Sequence, residues 1–329
     1  TTARNAILQL ERVGILLRRH GSGTYVKDSV SLTSDQVQTN STKNLGFIRC
    51  ELPNFSFSII KDDFWFEVFE GIQEQANQYN YHLFFTSVNE AAIEKDPAIL
   101  EELEEKVDGL VIGQPRSTYI VEKALANEKP VICISPRFSE WLTDHIFMDN
   151  EGGARRAVQY LIDGGHRRIG MINGPLRSKQ AAGRFTGYNR CLEENNIELD
   201  ESLVVGGTNW DSESGLAAMK ELISGRIVRP TAVFVASDAL AAGAIQACNK
   251  AHISVPEEMS IIGFDDTKLS EHTVPSLTTV HVPKREMGSF AFMRLLQRIE
   301  MPKLPLINVT FSTELTERDT CRTLRRNGD

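Results

Sequence analysis

No apolar run in these 329 residues is long enough to cross a bilayer, and no charged start followed by an apolar middle marks a secretory leader. The expected compartment is the cytoplasm, with no membrane partner. Cysteine is scarce: Cys50, Cys133, Cys191, Cys248 and Cys321 are odd in number, widely spaced and without a CxxC pair, so they read as reduced thiols. There is no GxSxG elbow, no GxxxxGK[ST] phosphate loop, no complete GxGxxG fingerprint and no clustered His/Cys metal spacing. Asp265 and Asp266 are paired carboxylates, but neighbours on a chain are poorly placed to face one substrate from opposite sides, as glycoside hydrolysis requires. The expectation is no catalytic residue, no metal, no cofactor and no enzyme.

What is present divides sharply by charge. Residues 1–27 carry Arg4, Arg12, Arg18, Arg19 and Lys27 against Glu11 alone, a net +4 in a chain of net charge −8, which leaves −12 on residues 28–329. A small basic module on an acidic body still docks on phosphate through its own local field. With 41% hydrophobic residues the chain has enough apolar material for more than one core. Residues 28–44 are Ser/Thr-rich, have few large apolar side chains and read as an extended tether between the two parts, or as mere connection.

In the basic part Ala6, Ile7, Leu10 and Val13 fall at helical spacing, with Thr2 near the start and Gly14 at the end, which predicts one amphipathic helix. Residues 15–19 and 23–26 read as two short strands around His20-Gly21-Ser22, a turn whose glycine tolerates positive φ. The pattern T-x-R-x-A-I-x-x-L-E-R-x-G-I-L-x-R-R-x-G-S-G-T-Y-V resembles the recognition helix and wing of GntR-family transcription factors. That resemblance implies a partial winged helix-turn-helix at 1–27, N-terminally truncated relative to the family's module. Thr2 and Arg4 would then approach base edges in the major groove, while Arg18, Arg19, Ser22 and Gly23 would set the wing against the backbone or minor groove. Taken singly, each of these residues also fits a solvated basic surface.

From Leu45 onward, short apolar runs alternate with helical patterns. Strands are expected at 45–48, 82–86, 109–112, 131–134, 168–172, 231–235 and 260–264, and helices at 64–80, 151–164, 183–195, 212–224, 239–251 and 285–300. Such alternation predicts parallel α/β architecture, with ligands at the carboxyl ends of the strands. The blocks Val107-Asp108-Gly109-Leu110-Val111-Ile112, Asp149-Asn150-Glu151-Gly152-Gly153-Ala154, Gly165-His166-Arg167-Arg168-Ile169-Gly170, Arg184-Phe185-Thr186-Gly187-Tyr188, Ser237-Asp238-Ala239-Leu240 and Ser260-Ile261-Ile262-Gly263-Phe264-Asp265-Asp266 resemble, in order, the effector domain of LacI/GalR repressors. The resemblance covers residues 45–318 and implies a two-lobed periplasmic-binding-protein type I fold, two Rossmann-like lobes joined by three crossings. Lobe one is expected at 45–148 and 283–303, lobe two at 149–282 and 304–318, with 319–329 as a tail. The combination is similar to the arabinose-repressor subgroup of GntR proteins.

A sugar pocket needs planar charged side chains for bidentate hydrogen bonds and an aromatic wall for the C–H faces. Asn150, Arg184 and Asp265 supply the first, and Phe64, Trp65 and Trp210 the second. By the resemblance, Arg184 and Asp265 fall at the family's sugar-binding arginine and aspartate and Trp210 at its stacking aromatic. Ser237 stands where many relatives have Asn, and Asp238 follows it. Each has a structural alternative: Asp265 as a strand-end turn, Trp210, Phe64 and Trp65 as core, Asp238 as an N-cap, and His166 as a helix-end residue. The expected function is a dimeric, sequence-specific repressor of operator DNA, with affinity modulated by a small sugar, L-arabinose first among monosaccharides. The alternatives are a sugar-binding protein without a role at DNA, and a regulator responding to a non-sugar ligand.

Overall fold

The computed structural model describes residues 16–19, 23–26, 41–51, 62–138, 140, 142–175, 177–224 and 229–324. The chain divides into two compact units, residues 1–41 and 42–329. In the first, β1 (Leu16–Arg19) and β2 (Gly23–Val26) form an antiparallel hairpin with Leu16 paired to Val26 and Arg19 to Gly23. Arg18, Arg19 and Gly23 thus lie on the hairpin expected for the wing. Thr2, Arg4, Ser22, the helix expected over 2–14 and the linker from 28 to 40 lie outside the described residues.

The second unit runs β3 (Asn44–Cys50), α1 (Asp63–Gln78), β4 (His82–Val88), α2 (Glu90–Lys95), α3 (Ala98–Glu104), β5 (Gly109–Gly113), α4 (Tyr119–Ala126), β6 (Val131–Ile134) and β7 (Asp144–Met148). It continues with α5 (Asn150–Asp163), β8 (Ile169–Asn173), α6 (Lys179–Glu194), β9 (Val204–Gly206), α7 (Ser212–Ile223), β10 (Ala232–Val235), α8 (Asp238–Lys250), β11 (Ser260–Asp265), α9 (Lys268–His272) and β12 (Thr278–His281). The last elements are α10 (Lys284–Glu300), β13 (Asn308–Phe311) and β14 (Glu314–Thr316). The strands form two sheets, ordered β13-β7-β6-β5-β3-β4 in lobe one and β14-β12-β11-β10-β8-β9 in lobe two. All paired neighbours are parallel except β14, which runs antiparallel to β12. This is the two-lobed α/β fold.

Helices on both faces explain the continuous apolar runs of β5, β6 and β10, which are buried along their whole length. Capping side chains start the helices where the sheet ends. Asp62 accepts from the Trp65 amide, Asp149 from Gly152, Asp211 from Ser214 and Ser237 from Leu240. Those caps bring Trp65 and Ser237 to the carboxyl ends of the strands. In lobe one α1 and α10 pack so closely that Gly71 meets the Arg285 backbone and Gly288 meets the Val68 carbonyl, where a Cβ would collide.

Two strands open on polar residues that hid them. β7 opens on Asp144, buried because Arg294 (3.1 Å), Arg298 (2.5 Å) and the Ile307 amide (2.7 Å) all bond its carboxylate. β12 begins with the buried pair Thr278 and Thr279, whose hydroxyls are engaged by the Arg318 amide and Asp238. Two expected boundaries also move. Residues 304–318 do not belong to lobe two as one piece, because β13 pairs with β7 in lobe one and only β14 joins lobe two. Residues 319–324 are not a loose tail: Thr320 is fully buried, its carbonyl accepts from Ile261 (2.9 Å), and the Leu324 amide donates to Gly164 (2.7 Å). The chain therefore crosses between lobes after β7, before α10 and between β13 and β14.

Candidate functional site

A cavity of about 210 Å³ lies where the carboxyl ends of both sheets meet. Lobe one contributes Arg49 from the end of β3, Asp62, Phe64 and Trp65 from the start of α1, and Gln114 and Ser135 just beyond β5 and β6. Lobe two contributes Gln180 and Arg184 from α6, Trp210, Ser237, Asp265 and Thr267. Six of the eight residues expected here, Phe64, Trp65, Arg184, Trp210, Ser237 and Asp265, come together on its wall.

Arg184 organises the lobe-two wall. Its guanidinium donates to Asp265 Oδ1 at 3.0 Å, to Asn150 Oδ1 at 3.0 Å and to the Ala236 carbonyl, and it stacks 3.7 Å from the Phe264 ring centroid. Burial lowers the Arg184 pKa and raises that of Asp265, each charge being partly restored by the other. A buried pair of this kind costs desolvation, and its fixed geometry is what it offers in return. Asp265 has φ 109° and Asp266 φ 51°, two successive non-glycine residues in the left-handed region at the end of β11. Strain of this sort persists only where surroundings hold it. The holder is Lys284, fully buried, whose Nζ donates to the Asp265 and Asp266 carbonyls at 2.5 and 2.9 Å.

The aromatic wall is split between the lobes. Trp65 lies beneath the Arg49 guanidinium, 4.5 Å from its ring, and Gly113 leaves room for the indole, since a Cβ there would sit 2.7 Å from it. Trp210 occupies the space that Gly174 leaves open, with its ring 5.4 Å from Arg184. Both indoles are therefore placed by glycines at strand ends and serve core and cavity together.

Asn150 and Asp238 do not line the cavity. Asn150 opens α5 and orients Arg184 from behind. Asp238 is fully buried and accepts from the Thr267 amide (2.7 Å) and the Thr279 hydroxyl (2.5 Å), so it holds the β11–α9 turn. Burial, with the nearby Asp265 charge, pushes its carboxyl up to about 8. The N-cap of α8 is Ser237 and not Asp238. His166 is buried between Thr231 and the Arg322 carbonyl, away from the cavity.

A family model described as "Periplasmic binding protein-like domain" matches residues 158–321. The ribose operon repressor of Haemophilus influenzae is 32% identical over 274 residues, covering 83% of this chain and 79% of the relative. The chain belongs to the LacI-type repressor family. Among solved structures, the transcriptional regulator CelR–cellobiose complex superposes with a TM-score of 0.76 at 26% identity, covering 85% of each chain. The lac repressor dimer bound to operator and the anti-inducer ONPF gives 0.72 at 26% identity, covering 91% of this chain and 99% of that one. LacI-type relatives are transcriptional repressors and not enzymes.

Within this LacI-type body the sequence reading passed over Arg49, Asp62, Gln114, Ser135, Gln180 and Thr267. Some of them carried a usable signal. Gln114 and Ser135 immediately follow strands, where open parallel sheets bind ligands. Gln180 lies four residues before Arg184, on the same helix face. Arg49 lay just past the expected end of its strand, which extends to Cys50.

Proposed function

We propose that the protein is a dimeric transcriptional repressor whose affinity for operator DNA is set by a small saccharide bound between the lobes. The observation that carries this reading is the Arg184–Asp265 pair, 3.0 Å apart, on the cavity wall with Trp65 and Trp210. A fixed fork beside a carboxylate suits vicinal hydroxyls, and indole faces suit a sugar's C–H surface. The cavity, about 210 Å³, is on the scale of a single small ring rather than an extended oligomer. The ribose repressor and the cellobiose complex among its relatives favour a saccharide, and L-arabinose is the first monosaccharide to try.

The relative solved as a dimer on its operator supports a dimer that grips two half-sites. The N-terminal segment reads as a GntR-like wing, supported by the residue pattern and the β1–β2 hairpin. In this scheme the ligand favours one lobe closure, and the dimer passes that preference to its DNA modules. A coupling of this kind is typically worth about 1–3 kcal/mol.

Thermal-shift screening against pentoses and hexoses, followed by operator binding of the intact protein, tests the reading. Arg184→Ala and Asp265→Ala should abolish the response to ligand and leave operator binding, whereas Arg4→Ala should do the reverse. An Asp265→Ala protein that responds to the effector like the parent would place the ligand elsewhere.

A further inference from the structure

A second cavity, of about 620 Å³, is lined by Glu90, Glu94, Arg116 and Arg137 of lobe one and by Arg177 and Lys179 of lobe two. Its construction repeats a single device. β5 leaves the sheet as Gln114-Pro115-Arg116 and the neighbouring β6 as Ser135-Pro136-Arg137. Gln114 (φ 56°) and Ser135 (φ 52°) both take the left-handed conformation at the same point of their strands. The two exits are bonded in register, Gln114 N to the Ile134 carbonyl at 2.7 Å and Arg137 N to the Pro115 carbonyl at 2.8 Å. In each exit the first residue lines the saccharide cavity and the arginine two positions later lines the second one. Lobe two mirrors this: Gln180 lines the first cavity, and Lys179, its neighbour on the chain, lines the second. The two cavities are therefore lined by neighbouring residues of the same three segments.

The second cavity has four cations and two carboxylates, in a chain of net charge −8. One carboxylate is already spoken for. Buried Glu90 accepts from the Arg116 amide at 2.8 Å and from its Nε at 3.2 Å, which fixes the arginine in place. Among the described residues no carboxylate forms an ion pair with Arg137 or Arg177. Arg137 is half-buried, and burial together with the adjacent Arg116 lowers its pKa. Glu90 offsets part of this for Arg137, but its hydrogen bonds go to Arg116, and an anion that bridges the two arginines would relieve their repulsion.

We propose that this cavity seats an anionic group, phosphate or carboxylate, carried by the saccharide that occupies the first cavity. The inference rests on the saccharide reading above and narrows it from neutral sugars to sugar phosphates or sugar acids. Arg137 and Arg177 bind the anion from opposite lobes, so the anion itself bridges the cleft and favours the closed arrangement.

The test uses the full chain and isothermal titration at fixed pH and salt. The probes are L-arabinose, D-ribose with D-ribose 5-phosphate, D-glucose with D-glucose 6-phosphate and D-glucuronate, and inorganic phosphate alone. Arg177→Gln, at an exposed position, and the Arg137→Gln/Arg177→Gln double variant are compared with the parent. One anionic saccharide is expected to bind at least about tenfold more tightly than its neutral counterpart, an advantage that falls with added salt and disappears in the double variant while the neutral sugar's affinity holds. The preferred probe distinguishes a phosphate from a carboxylate. Equal affinity for neutral and anionic members, or an anionic preference untouched by both variants, overturns the proposal. If no saccharide binds but inorganic phosphate does, and only with the arginines present, the anion site stands and the saccharide reading fails. Absence of any arginine-dependent binding overturns the anion site whatever the sugars do.

Discussion

Asp238 and Asp266 lie on either side of the pocket aspartate and respond to pH in opposite senses. Burial alone would raise the Asp266 carboxyl, but hydrogen bonds from His281 (2.9 Å) and Arg318 (2.8 Å) hold it well below the usual carboxylate range. Its contribution to stability is therefore complete above about pH 4 and is lost as pH falls through the folded value. Asp238, pushed up to about 8, keeps its proton in the folded protein long after the unfolded chain has lost it. Stability is expected to fall as pH rises from about 4 to 8 on this account. Melting temperatures across that range should show a shallower decline in Asp238→Asn than in the parent, and Asp266→Asn should flatten the loss on the acid side. An Asp238→Asn profile parallel to the parent's would mean that the buried carboxyl is ionised throughout.

Paired helices set the shape of each lobe, and glycine decides how close they come. α1 and α10 cross with Gly71 against the Arg285 backbone and Gly288 against the Val68 carbonyl, both backbone contacts that no side-chain rotamer relieves. Gly288→Ala is expected to destabilise the protein by about 1–3 kcal/mol, the usual cost of overpacking, even though alanine is the better helix former. Chemical denaturation with an unchanged slope and a lowered midpoint would show it, and a raised midpoint would mean that the helices part at no cost. The main helices and the central strands were legible from periodicity and caps, because those signals sit within a few residues of each other. α2, α3, α4 and α9 were missed; each is only five to eight residues long, too short to establish a helical period. β7 and β12 were missed because buried Asp144, Thr278 and Thr279 look like surface residues until their partners are known.

The two lobes are tied by three chain crossings and by Lys284, which stands at the head of α10 in lobe one and grips the carbonyls of Asp265 and Asp266 in lobe two. Its ammonium also lies 3.5 Å from Glu67 on α1. A buried cation spanning the lobes beside the pocket aspartate links ligand contact to lobe angle. Lys284→Met should lower the melting temperature and enlarge the radius of gyration of the ligand-free protein in X-ray scattering. An unchanged radius would leave the crossings alone to hold the lobes.

Local order along the chain carried the alternation of strands and helices, the β1–β2 hairpin, and the ordered blocks that place Arg184, Trp210 and Asp265 after strands or on helices. These follow from short-range sterics, capping and period, which a linear reading captures. Long-range register decided the rest. β13 joined lobe one because Asp144 meets Arg294, Arg298 and the Ile307 amide, all at least 150 residues away. Asn150 and Asp238 went behind the pocket wall because Arg184 and Thr279 had bonds to satisfy there. Arg116 and Arg137, ordinary charges in the linear chain, became neighbours only when β5 paired with β6, since the energy of burying a charge depends on partners that sequence distance does not reveal.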